Sequence, residues 1–144
     1  MVDVLILNGP NIDRLGTREP QIYGTGTYGN LVAACEAQAT DLGLTIDVRQ
    51  TQSEGQLITW LHEAADAGVH VILNPAALTH YSLAVADACA MLTGLLIEVH
   101  LSNIAAREEF RHKSVTAAHA QGVIAGFGFD SYRLALQAIA ARRG

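Results

Sequence analysis

The sequence of 144 residues predicts an α/β fold built on one parallel sheet, and two observations carry that reading. Five short apolar runs alternate strictly with five longer segments whose apolar residues recur at three- and four-residue spacing. Several of the runs are also apolar on both faces, as strands are when helices cover both sides of a sheet. In chain order, Val2–Leu7 reads as the first strand. A long connection, from Asn11 to Thr27, leads to a helix over Leu31–Leu42, which Gly43 ends. Leu44–Gln50 is the second strand. Ser53-Glu54-Gly55-Gln56 then has the form of a capping box opening a helix over Glu54–Ala67, which Gly68 ends. Val69–Leu73 is the third strand, followed by a helix over Ser82–Thr93 with Gly94 at its end. Leu95–Val99 is the fourth strand, followed by a short helix over Ala105–Phe110. Val123–Ala125 is the fifth, followed by a last helix over Ser131–Arg143. Strict alternation implies right-handed crossovers. The economical arrangement is a flavodoxin-like three-layer sandwich with strand order 2-1-3-4-5, which binds its ligand beyond the carboxyl ends of the strands. No repeat or linker interrupts the pattern, so residues 1–144 read as a single domain.

Composition narrows the function. The net charge is −5 and basic residues come together only at Arg14/Arg18, Arg107/Arg111/Lys113 and Arg142/Arg143, too few for a nucleic-acid surface. Only 16% of residues are charged, which for so small a domain points to buried subunit contacts. The longest apolar stretch, Leu83 to Ile97, is broken by Asp87, Thr93 and Gly94, so no membrane span is expected. Cys35 and Cys89 lie in Ala-rich helical stretches and read as buried free thiols in a cytoplasmic setting. Neither they nor the histidines show metal spacing, so no metal is expected.

Polar residues gather after the strand ends. The first strand leads to Asn8, Asn11, Arg18 and Tyr23, and the third to Asn74 and His80. The fourth carries Glu98 and His100, then Leu101 and Ser102, with Arg107 and Arg111 beyond. In the predicted topology all of them approach one crevice. Glu98 and His100 are two apart on a strand and share a face. A carboxylate there orients the imidazole and favours its charged form, which suits a general acid. Ser102 reads as the start of the short helix, where backbone amides bind anions. Arg107 and Arg111 fall on one face of that helix, and for Arg107 a solvated ion pair with Glu108 or Glu109 is the favoured reading. Gly24-Thr25-Gly26-Thr27-Tyr28-Gly29 matches a dinucleotide fingerprint by letter but lies well past the first strand's tip, where the fingerprint is required.

The long first connection carries Arg18 and Tyr23, five residues apart. Connections of that length act as lids or binding loops. A guanidinium held beside a phenol stabilises the phenolate while keeping its own charge, which makes an Arg-activated Tyr a base able to remove a proton from carbon.

The runs LNGPNIDRLGTREPQIYG, RQTQSEGQLITWLHEA, ILNPAALTHYS, IEVHLSNIAAREEFRHKS and GVIAGFG, in this order, resemble the type II 3-dehydroquinate dehydratases over nearly the whole chain. The resemblance implies dehydration of 3-dehydroquinate to 3-dehydroshikimate, a step of both shikimate biosynthesis and quinate breakdown, with no metal and no organic cofactor. It implies a homo-oligomer, a dodecamer built from trimers. Position by position, Tyr23 matches the proton-abstracting base and Arg18 its activator. Asn11 matches the residue holding a water at the enolate oxygen. His100 matches the acid on the departing hydroxyl, and Glu98 its supporting carboxylate. Asn74, His80, Arg111 and the backbone amides of Leu101 and Ser102 match substrate-binding positions, and Asp87 one that reaches a neighbouring subunit's site. The only lysine, Lys113, lies outside this set, so an enolate rather than a Schiff base is expected. Ala76 stands where the family often has Gly, Tyr81 where some members have Thr, and Asp13 where Asn is frequent. Ala105 and Lys113 each replace a frequent His, and Ser131 a frequent Gly.

Overall fold

A computed structural model describes residues 1–17, 19–23 and 25–143, with Tyr23 described by its backbone alone. Its sheet has five parallel strands in the order β2-β1-β3-β4-β5. The strands are β1 (Val4–Asn8), β2 (Ile46–Gln50), β3 (His70–Asn74), β4 (Leu96–His100) and β5 (Gly122–Ala125). The flavodoxin-like α/β architecture is therefore as predicted. Helices α2 (Tyr28–Leu42) and α5 (Phe129–Arg142) cover one face; α3 (Glu54–Ala67) and α4 (Leu83–Cys89) cover the other. Side chains alternate accordingly. Val4 and Ile6 of β1 join Leu31, Cys35, Leu136 and Ile139 in one core layer. Leu5 and Leu7 join Leu57, Leu61, Val85 and Cys89 in the other. Both thiols are buried and free, and burial pushes each up to about 12.

Strands β1, β3 and β4 each end one residue later than the apolar runs suggest. Their last residues, Asn8, Asn74 and His100, are ladder members rather than loop residues: Asn8 pairs with Asn74, and His100 with Ala125. Asn74 and His100 thus keep their backbone bonds while lining the crevice, whereas Asn8 turns its amide to Arg49 O and Tyr132.

Other elements differ where a side chain overrides the period. Helix α2 begins three residues early, because Thr27 and Asn30 form a reciprocal capping box. At α3 the predicted box is half present. Ser53 accepts from the Gln56 N–H, but its own N–H goes to the Thr51 hydroxyl, which in turn donates to Gln56 Oε1. Gly43 and Gly68 are left-handed helix ends, as read, whereas α4 stops at Cys89. Gly94 instead lies against the backbone of Val69, whose carbonyl oxygen a Cβ would approach to 2.6 Å. The short helix over Ala105–Phe110 is absent; two 3₁₀ turns, Ile104–Ala106 and Glu109–Arg111, flank an extended Arg107. The first connection holds a 3₁₀ turn (Ile12–Arg14) and a four-residue helix, α1 (Pro20–Tyr23).

Among the described residues, no helix is long and apolar enough to cross a membrane, and no group of three or more His, Cys, Asp or Glu side chains is arranged to hold a metal ion.

Candidate active site

The carboxyl ends of β1, β3 and β4 open on one cleft. Asn11, Asn74, His80, His100, Leu101, Ser102 and Arg111 all line it, so seven of the eleven proposed site residues meet as the topology predicts. Gly9 lets β1 and β3 close its floor: its N–H donates to Asn74 O at 2.8 Å, and a Cβ there would sit 2.5 Å from Pro75 O.

At β4, His100 and Glu98 project to the same side, and both are buried. Nε2 of His100 lies 2.8 Å from Glu98 Oε2, which leaves Nδ1 as the nitrogen free for the cleft. Glu98 Oε1 accepts from the Thr116 hydroxyl and, at 3.0 Å, from the Ser114 hydroxyl. Burial alone would raise the carboxyl's pKa, but the hydrogen bonds from His100, Thr116 and Ser114 prevail and hold it below the ordinary carboxylate value.

At β3, Asn74 is 3% exposed and its amide is fixed at both ends. Its Nδ2 donates to Tyr132 Oη at 2.8 Å, and its Oδ1 accepts from Ala76 N at 3.0 Å. Tyr132, wholly buried on α5, donates onward to Asn8 Oδ1 at 2.6 Å. Asn8 anchors the chain by donating to Arg49 O. Desolvation pushes the Tyr132 phenol far above its ordinary range, so it remains a donor.

His80 closes the 3₁₀ turn Ala76–His80, and its Nδ1 lies 2.7 Å from the carbonyl of Lys113. A carbonyl only accepts, so Nδ1 carries the proton and Nε2 is the free nitrogen. Phe110 packs edge-on against the ring. Arg111 donates to Glu108 at 3.0 Å and stacks over Phe110; that bond lowers the exposed Glu108 carboxyl's pKa. Ser102 borders the cleft but starts no helix: Asn103 caps the following turn by accepting from Ala105 N.

Arg107, read from the sequence as a solvated residue, lines the cleft with its side chain 11% exposed. Its Nη2 lies 3.7 Å from the Glu19 carboxylate, which ties the first connection to the cleft edge. Arg107 stands in an extended conformation between two turns, so no helical period could reveal its direction. Asn11 takes the left-handed conformation, with φ 72°, and its N–H donates to Gln52 Oε1. Gln52 reaches both carboxylate oxygens of Asp13 at 2.9 Å. Tyr81 is 64% exposed and is not part of the cleft lining, whereas Ala76 is. Asp87 is exposed on α4, away from the cleft. Arg18 and the side chain of Tyr23 lie outside the described residues.

The model of the family described as dehydroquinase class II matches residues 2–140. A 3-dehydroquinate dehydratase of Salinispora tropica is 61% identical over 96% of this chain and 97% of its own length. One of Mycobacterium tuberculosis is 53% identical over 98% and 96%. The crystal structure of a type II dehydroquinase from Propionibacterium acnes superimposes with a TM-score of 0.94 at 54% identity, covering 98% of each chain.

Proposed function

The chain belongs to the dehydroquinase class II family, and from that premise we propose that it is a 3-dehydroquinate dehydratase acting through an enolate, with residues 1–144 forming one catalytic unit. The observation that carries the chemistry is the buried Glu98–His100 pair opening on a cleft lined by Asn74, His80 and Arg111. Dehydration needs two proton transfers at different points of one ring. Tyr23, activated by Arg18, takes a proton from the carbon beside the ketone. Charge passes to the ketone oxygen, where Asn11 holds a water as a neutral donor. His100 then gives a proton to the C1 hydroxyl, which leaves as water, and the carbon–carbon double bond forms in conjugation with the ketone. Glu98 keeps the imidazole oriented through the bond at 2.8 Å. Asn74, His80, Arg111 and the amides of Leu101 and Ser102 hold the substrate's hydroxyls and carboxylate. The ion pair between Glu19 and Arg107 supports this reading, because it draws the segment next to Arg18 to the cleft edge. Closing that segment over the substrate would exclude water.

The oligomer is part of the same proposal. Around Asp87 on α4, Leu83 is 68% exposed and Met91 55% exposed, an apolar face broken by one acid. A dodecamer of trimers would bury that face and bring Asp87 toward a neighbouring site; the cytoplasm is its proposed compartment.

Adding 3-dehydroquinate to the purified protein should raise ultraviolet absorbance as the conjugated enone accumulates; no rise defeats the assignment. Tyr23→Phe and Arg18→Ala should each lower turnover by roughly 100-fold or more, the range general-base catalysis contributes, with gel filtration unchanged. Asp87→Asn should raise KM if subunits share sites, whereas an active monomer on gel filtration rules sharing out.

A further inference from the structure

Two hydroxyls meet the carboxylate behind His100 and a third backs them, and their proton count constrains it. Thr116 and Ser114 both donate to Glu98 Oε1. A hydroxyl has one proton, so neither can donate elsewhere. Ser114 Oγ accepts from Ala117 N at 3.1 Å. Thr79 Oγ1 lies 2.6 Å from Ser114 Oγ and 2.8 Å from Thr116 Oγ1, and its single proton is directed at one of the two. On the other carboxylate oxygen, His100 Nε2 lies at 2.8 Å, and toward an ionised Glu98 it is the donor. Every proton in the cluster therefore runs toward Glu98, an arrangement that suits a carboxylate anion and leaves a protonated carboxyl no acceptor without rearrangement.

The same short segment serves the second imidazole. Val115 N donates to Thr79 O at 2.7 Å, and His80 donates to the neighbouring Lys113 carbonyl. Residues 113–116 thus clip the 3₁₀ turn that bears Thr79 and His80 to the end of β4.

We propose that Thr79, Ser114 and Thr116 are positioning residues for the acid step, holding Glu98 ionised and in one orientation so that His100 keeps a fixed aspect toward the cleft. None of the three is placed against the substrate; they act through Glu98. This rests on the dehydratase reading given above. The other groups around the carboxylate do not substitute for them. The strand neighbour in register on β3 is Leu73 and that on β5 is Val123, neither ionisable. From α4 the nearby titratable group is the Cys89 thiol, which burial keeps neutral. His100 on the same strand is the partner being oriented.

The test uses the full-length oligomer with Thr116→Val, which keeps the side chain's shape and removes the donor. Relative to wild type, kcat for 3-dehydroquinate should fall about tenfold, part of the roughly 10²–10⁴ that a general acid contributes, with KM within about twofold. The acid limb of the kcat–pH profile should move to higher pH, because Glu98 then takes up a proton sooner. Thr116→Ser, which restores the donor, should recover most of the loss. Unchanged kcat and pH profile in Thr116→Val, or Thr116→Ser as impaired as Thr116→Val, overturns the proposal. If Thr116→Val does not fold, Thr79→Val, one bond further out, should show a smaller change of the same kind, and an unshifted profile in it overturns the proposal equally. A wild type without turnover would defeat the dehydratase reading alone. The proposal is then judged on stability: the drop in urea midpoint from about pH 7 to about pH 4 should shrink in Thr116→Val, and an unchanged drop overturns it.

Discussion

Two buried polar networks reach the cleft from neighbouring strand tips. At β4, one ion, Glu98, is met only by donors: His100, Thr116 and Ser114. At β3 and β1, neutral groups alternate: Asn74 donates to Tyr132, which donates to Asn8, which donates to Arg49 O. The first network takes its direction from a charge, so a proton added at its centre disorders it. The second takes its direction from the matching of donors and acceptors, and a proton lost from Tyr132 would break it. A site that must move protons and also hold a ligand still thus separates the two tasks by strand, and their failures should come at opposite ends of the pH scale.

The largest effect should come from Glu98→Gln. With the amide oxygen kept on the hydroxyls, the amide nitrogen would face His100 Nε2, and the buried imidazole would lose its carboxylate acceptor. Breaking a buried pair costs about 3–5 kcal/mol, so urea unfolding should show a loss of that order and kcat should fall at least roughly 100-fold. Retention of both would show that charge is not what orients the β4 network.

Tyr132→Phe comes next. It leaves the Asn74 and Asn8 amides short of a partner, at about 1–3 kcal/mol. The loss should be equal at about pH 5 and about pH 8, since no group of this network titrates between them. KM should rise more than kcat falls; the reverse would tie Asn74 to proton transfer rather than to binding.

The pH limbs sharpen the contrast further. The folded Glu98 carboxyl lies below its ordinary 4.5, so the unfolded chain takes up the proton first. Its stabilising contribution is present above about 4.5 and is lost as pH falls through the lowered folded value. Tyr132 is the mirror case. It is raised from 10.0, so its contribution is complete below about pH 10 and declines as pH rises beyond. The raised Cys35 and Cys89 thiols share that alkaline limb. Glu98→Gln should flatten the acid limb of chemical stability alone, and Tyr132→Phe should reduce the alkaline limb alone.

The smallest effect belongs to an ion pair outside both networks. Arg49 meets Asp47 at 2.9 Å and Glu63 at 2.8 Å, with the acids 43% and 46% exposed. Arg49→Ala should cost less than about 1 kcal/mol and should cost less still in high salt.

The two networks were unequally legible in the sequence. Glu98 and His100 stand two apart on an apolar strand, so parity alone places them together. Asn74 follows an apolar run and could be set at a strand tip. The partners could not be read the same way. Ser114 and Thr116 lie in irregular chain, where no period tells inside from outside, and Tyr132 is 124 residues from the Asn8 it meets. The strands end on their polar residues rather than before them because the ladder continues to Asn8, Asn74 and His100, a fact of pairing that hydropathy does not carry. The misplaced helix at Ala105–Phe110 has the same origin. Its residues suit a helix, yet Arg107 leaves helical geometry at the residue that meets Glu19 at the cleft edge.

Ala76 lines the cleft with φ 55°, a backbone state that glycine enters freely and alanine does not. The side chain costs the native form about 1–2 kcal/mol, but it also removes freedom from the denatured chain, which returns about 0.4–1 kcal/mol. The strain outweighs the return, so Ala76→Gly should raise the melting temperature by a few degrees. The methyl group at this rim is therefore carried at the expense of folding, on the wall where a bound molecule has to fit beside it.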